Sequence, residues 1–271
     1  MDLDVEYNNR ARVPEHPEIM EGWQRDAATF RKAARAELDV PYGPSERMKL
    51  DLFLPDNDAP QAAAMFIHGG YWQSLDKSYA SHLARGLTQH GFAVCVPGYD
   101  LCPHVSMTDI VDEIAHACIW TVRLLQMPLV ITGHSAGGHL AACMLARDWS
   151  AQTRDLGIEP VSAAYAISGL FDLPPLLHTG VNKALGMDAA EAEKLSPMHW
   201  PAPQRKRLIA AVGSDESSEY HRQSRELCDT WAKGGALTKM SMIDGPNHFT
   251  ILAPLADPDS DMVRDIVSLA G

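Results

Sequence analysis

Short apolar runs recur along the chain, separated by stretches in which apolar positions return every three to four residues. The runs are "MKLDLFLP" (48–55), "AAMFIHG" (63–69), "FAVCVPG" (92–98), "LVITG" (129–133), "VSAAYAIS" (161–168), "RLIAAVG" (207–213) and "LTKMSMI" (237–243). Most are near-continuously apolar, as strands buried on both faces must be. The intervening periodicity predicts helices over 77–90, 106–126, 136–148, 217–234 and 258–269. Strand and helix therefore alternate, which predicts an α/β fold: a mostly parallel central sheet with helices on both faces. "ERMKLDLFLP" instead alternates apolar and polar positions before "PDNDAP", predicting a hairpin-like start within 47–61.

Two segments fall outside this rhythm. Residues 1–36 carry a helical pattern in "PEIMEGWQRDAATFRKAARAEL", read as an extension packed over one end of the sheet. Residues 170–203 form a long excursion between two strands, and excursions of that length more often cover a site than merely connect elements. Nothing resembles a repeat or an interdomain linker, and 271 residues suffice for one large domain spanning 1–271.

Composition narrows the function classes. A net charge of -12 disfavours a general affinity for nucleic acid or anionic membranes, which require a positive field. The five cysteines (Cys95, Cys102, Cys118, Cys143, Cys228) lie in apolar segments without any CxxC pair, as reduced thiols in a cytoplasmic protein would. The polar, acidic start "MDLDVEYNNRARVPEHPE" has no signal core, and no apolar run is long enough to span a bilayer. The twelve histidines form no HExxH or similar cluster, so neither a metal nor another cofactor is expected.

The chemistry is concentrated in "LVITGHSAGGHLAACML" (129–145). By ordinary residue frequencies, a chain this long matches G-x-S-x-G by accident roughly one time in ten. Context gives the match weight: Gly133-His134-Ser135-Ala136-Gly137 ends a predicted strand and opens a predicted helix, as a nucleophile elbow requires. Glycines two residues either side of Ser135 make room for a sharp turn, and the helix start turns free N–H groups toward a developing oxyanion. Ala136 is one candidate donor. The other should come from "FIHGGYW" (66–72), where Gly70 is preferred to Gly69.

A serine hydroxyl needs a base, and the base an orienting acid, in the chain order Ser, acid, His for this arrangement. His248 lies in the loop "DGPNHFTIL" after the last strand and is favoured over His221, which falls within a predicted helix. Asp215, directly after "RLIAAVG", is the favoured acid, with Asp172 and Glu216 as alternatives.

These motifs resemble the α/β-hydrolase superfamily from about residue 37 onward. The resemblance implies a sheet of about eight strands and a small lid at 170–203. "HGGYW", "GHSAGGHLA" and "SGLFDLPPL" are similar to the serine-dependent kynurenine formamidases, or arylformamidases, and their esterase-like bacterial relatives. That similarity implies Ser135, Asp215 and His248 as catalytic residues, the 68–72 loop as oxyanion hole, and hydrolysis of N-formylkynurenine to kynurenine and formate. Tyr71, Trp72, Phe171, Trp200 and Phe249 are candidates for an aryl pocket, at least half of them being expected to serve ordinary packing. A broad carboxylesterase or thioesterase shares the same triad, and an inactive binding module is the remote rival. The expected partners are a small aryl amide or ester and at most a second copy of the chain as a homodimer, with neither nucleic acid nor membrane.

Overall fold

A computed structural model describes residues 2–56 and 59–271. Its strands are Ala36–Pro41 (β1), Lys49–Phe53 (β2), Ala62–Ile67 (β3), Phe92–Pro97 (β4), Leu129–His134 (β5), Val161–Ile167 (β6), Arg207–Gly213 (β7) and Leu237–Ile243 (β8). They form one sheet in the order β1-β2-β4-β3-β5-β6-β7-β8. β1, β2 and β4 pair antiparallel, and every other pair is parallel. The fold is thus the α/β class expected, and the chain changes direction across the sheet between β3 and β5, where such sheets place their sites.

Alternation along each strand explains why the runs are continuously apolar. In β3, Ala63, Met65 and Ile67 enter one buried cluster, while Ala64 and Phe66 enter another on the opposite face. The helices that cover the sheet are Leu3–Tyr7 (α1), Asn9–Arg12 (α2), His16–Ala33 (α3), Arg85–Gln89 (α4), Met107–Leu125 (α5), Ala136–Ala146 (α6), Asn182–Leu185 (α7), Ala189–Lys194 (α8), Ser218–Lys233 (α9) and Asp261–Ser268 (α10). α5 starts with a reciprocal Ser106–Asp109 capping box and ends at left-handed Gln126. Residues 136–145 of α6 are all buried.

Three local expectations are corrected. The helical pattern of the N-terminal segment stops at Ala33, and Ala36–Pro41 becomes the edge strand β1. The hairpin is accordingly β1–β2, turning through 42–48; β2 and β3, on either side of the predicted turn at 55–60, both pair with β4 and not with each other, and Asn57 and Asp58 of that turn lie outside the described residues. The stretch 77–90 is two 3-10 turns followed by the short α4. β1 is held by charge: Lys77 Nζ reaches Asp39 at 2.6 Å and buried Asp51 at 2.7 Å, and Arg31 of α3 pairs with both carboxylates.

The excursion at 170–203 folds as a 3-10 turn (Pro174–His178), α7, α8 and a second 3-10 turn (Pro197–His199). All five cysteines are buried and unbridged. Among the described residues, no helix is long and apolar enough to cross a membrane.

Candidate active site

Adjacent parallel strands β3 and β5 deliver two loops to one end of the sheet. After β5, Ser135 adopts φ 56° and ψ −117°, a conformation that costs a residue with a side chain about 1–3 kcal/mol. It is held there by its own N–H, which donates to the Ile167 carbonyl at 2.9 Å, and by its carbonyl, which accepts from His139 N–H at 3.1 Å. The flanking glycines are required by close approach. A Cβ on Gly137 would stand 2.0 Å from the Ile67 carbonyl oxygen, and one on Gly133 2.2 Å from that of Gly137. The Ala136 N–H opens α6 and has no carbonyl of its own helix to bond.

After β3, Gly70 takes φ 110°, and its carbonyl turns back to accept from Gln73 N–H and the Ser74 hydroxyl. Gly70 lines the cavity above Ser135, whereas Gly69 is wedged against the elbow, its Cβ position 2.8 Å from the His134 carbonyl oxygen. His68 donates from Nδ1 to the Gly69 carbonyl at 2.8 Å, and its ring stacks on Tyr99 with centroids 4.3 Å apart.

The loop after β8 brings His248 into the same cavity, where its Nδ1 meets Glu216 Oε2 at 2.6 Å. Glu216 is buried and accepts on its other oxygen from the Ser168 hydroxyl at 2.6 Å and the Gly213 N–H at 2.8 Å. With Nδ1–H committed to Glu216, the other ring nitrogen, Nε2, is the one left for the serine. Asp215, the acid favoured from sequence, is exposed and does not meet His248. The turn after β7 sends its side chain to solvent and folds Glu216 back onto the strand end. Asp172 is engaged elsewhere, 3.0 Å from Arg222, and His221 bonds the Gly213 carbonyl from α9.

His134, beside the serine, donates from Nε2 to the His248 carbonyl at 2.8 Å, and the two rings lie 4.6 Å apart. The elbow thus grips the loop that carries His248. Burial, with the neighbouring His248 adding to it, pushes the His134 imidazole well below its usual range. Burial likewise brings His68 and His139 down to about 4. Above about pH 5 these rings do not compete for protons. Between about pH 5 and neutrality any fall in kcat/KM should therefore have a slope no steeper than one; a slope of two in that range would show one of these buried imidazoles titrating with the reaction.

The cavity encloses about 420 Å³, within the span of small-molecule sites, about 300–1,000 Å³. Of the five aromatic candidates, Tyr71 and Phe249 line it. Trp72 is fully buried with its ring edge-on to His139, Phe171 is core, and Trp200 bonds the Lys194 carbonyl outside the cavity.

Sequence reasoning did not name the residues of the opposite wall. Tyr7, Arg10, Met20 and Trp23 come from the N-terminal segment, and Thr179 and Val181 from the excursion. A buried polar network seats that segment: Tyr7 donates to Glu219 at 2.6 Å and accepts from Gln223 at 2.8 Å. Tyr71 gives its proton to the Tyr7 carbonyl, so Tyr220 must donate to Tyr71, and Asn9 Nδ2 serves both phenol oxygens. Burial pushes all three phenols up, which keeps their protons in the network. The one available signal was the run of hydrogen-bonding residues Tyr7-Asn8-Asn9 ahead of a helix. Among the described residues, no group of three or more His, Cys, Asp and Glu side chains is placed to hold a metal ion.

A strained serine at the β5–α6 turn of a sheet with this strand order defines an α/β-hydrolase. A solved structure from Silicibacter sp. TM1040, titled a "putative thioesterase", has the same fold at a TM-score of 0.89 and 36% identity, covering 98% of this chain and 99% of that one. Residues 50–168 match the BD-FAE family model. The kynurenine formamidase of Salmo salar is 32% identical over 267 residues, 93% of this chain and 87% of that protein. That of Danio rerio is 30% identical over 250 residues, 89% and 84% respectively. The chain belongs to the kynurenine formamidase family, and it is a hydrolase.

Proposed function

We propose that this hydrolase is an arylformamidase that converts N-formylkynurenine to kynurenine and formate through a formyl-serine. The observation that carries the reading is the joining, in one aromatic-lined cavity, of Ser135 with a His248 whose Nδ1 is held by Glu216, in a chain of this family.

Ser135 Oγ attacks the formyl carbon while His248 Nε2 takes its proton. The N–H groups of Gly70 and Ala136 hold the oxyanion. Collapse breaks the C–N bond, and His248 returns the proton to the departing aniline nitrogen. Water, deprotonated by the same imidazole, then attacks the formyl ester, releasing formate and restoring the Ser135 hydroxyl. Glu216 keeps the tautomer and stabilises the imidazolium throughout.

The likeness to the Silicibacter protein favours a second reading, an acyl-thioester or broad ester hydrolase. Turnover of N-formylkynurenine, a p-nitrophenyl acyl ester and an acyl thioester should be compared side by side. The formamide is expected to lead in kcat/KM by at least about tenfold, the scale on which pocket contacts separate substrates. A lead for either ester substrate overturns the formamidase reading.

A further inference from the structure

The residue proposed as base starts far from the nucleophile along the sheet. His248 follows the edge strand β8, Ser135 follows β5, and β6 and β7 lie between them. At about 4.8 Å per strand, the loop after β8 has about 14 Å to cross. Its near end is fastened beside β7, where Gly245 N–H donates to the Ser214 hydroxyl at 2.9 Å and the Pro246 carbonyl accepts from Asp215 N–H at 3.3 Å. At its tip Glu216 holds the His248 ring by Nδ1, and a bond to one ring atom leaves ring and backbone free to pivot about it. The backbone is held from the other side: His134 Nε2 donates to the His248 carbonyl at 2.8 Å. Among the described residues, this is the hydrogen bond that joins residue 248 to the β5 side of the site. His134 ends β5 and adjoins Ser135 in the chain. Gly69 is packed against it, its Cβ position 2.8 Å from the His134 carbonyl oxygen and 3.3 Å from Nδ1. The bond therefore places His248 by reference to the backbone that carries the serine.

We propose that His134 is a positioning residue for the hydrolysis: by holding the His248 carbonyl from the residue next to the nucleophile, it sets the reach of His248 Nε2 to Ser135 Oγ. The proposal rests on the reading of Ser135 as nucleophile and His248 as base, and adds what keeps the two in register. Transfer of the serine proton needs a heavy-atom separation of about 2.6–3.2 Å, and a misplacement of about 1 Å can cost about a hundredfold in rate. Imidazole chemistry suits the task. With its proton on Nε2, His134 is a donor without charge, and its ring lies 4.6 Å from one that becomes an imidazolium as it takes the serine proton. A lysine or arginine making the same bond would set a like charge beside that imidazolium. Loss of the bond should slow the chemical step and leave ligand binding almost unchanged.

Three substitutions in the full-length protein separate this role from plain packing. His134→Gln places an amide N–H about where Nε2 stands, His134→Asn carries the same amide one carbon short, and His134→Met fills the space without a donor. Saturation kinetics of inactivation by a fluorophosphonate probe, which phosphonylates an activated serine whatever the natural substrate, give the reaction rate constant and the binding constant separately. The rate constant is expected to fall about 10- to 100-fold in the Met and Asn variants, while the Gln variant recovers at least about a third of it. The binding constant should move less than about twofold in all three. If His134→Met does not fold, as its denaturation curve would show, the contrast between Gln and Asn decides alone. Equal rate constants in Gln and Asn, or a loss carried by the binding constant, overturns the proposal and leaves Ser135 and His248 in their roles. Failure of the probe to label the unsubstituted protein, or equal labelling of Ser135→Ala, overturns the reading of the serine and this proposal with it.

Discussion

Ser135→Ala is expected to lower kcat/KM by about 10⁴- to 10⁶-fold on every substrate the protein hydrolyses, leaving only the residual acceleration of an oxyanion hole without a nucleophile. The size follows from the geometry. The backbone of residue 135 is over-determined by the bonds to Ile167 and His139, so the variant keeps the elbow and loses only the attacking oxygen. A fluorophosphonate probe should label the unsubstituted protein and not the variant, and an unchanged denaturation midpoint would show that the loss is chemical. Retention of more than about a tenth of the activity would remove Ser135 from the reaction.

The second large effect separates two adjacent carboxylates. Glu216→Gln is expected to cost about 10⁴-fold in kcat, because an amide nitrogen facing His248 Nδ1 would favour the wrong tautomer and put the proton on Nε2, where the base is needed. Asp215→Asn, at an exposed position, should change kcat by less than about twofold. Steady-state rates of the two variants, measured beside each other, decide the assignment. A collapse in Asp215→Asn with little change in Glu216→Gln would reverse it.

The interior of the sheet was legible because β3 to β7 are covered on both faces and so read as apolar runs bounded by glycine or proline. β1 was not, because an edge strand is protected by charge: Glu37 and Asp39 interrupt it, and Asp39 is held by Lys77, whose place beside it is a tertiary fact. The loops bearing Ser135 and His248 followed from strand ends and glycines. The carboxylate that meets His248 lies one residue beyond Asp215, since the direction of a side chain after β7 depends on a turn fixed by contacts with the far loop, Ser214 N–H to the Ile243 carbonyl and Asp215 N–H to the Pro246 carbonyl. A Glu three residues past a strand end is long enough to return to it, as Glu216 does to Gly213, and that is the local cue. The cavity's N-terminal wall carries almost no local cue, because nothing in residues 3–12 reveals the residues of α9 that receive them.

That wall also sets a schedule. Asn9 and Tyr220 are separated by 211 residues and Tyr7 and Gln223 by 216. At a synthesis rate of about 5–20 residues per second, the segment emerges from the ribosome about ten to forty seconds before the helix that seats it. His248 follows later still. A nascent chain therefore carries the loops after β3 and β5 long before it can close the cavity around them, and the cavity is complete only once residues 248 and 249 have been made.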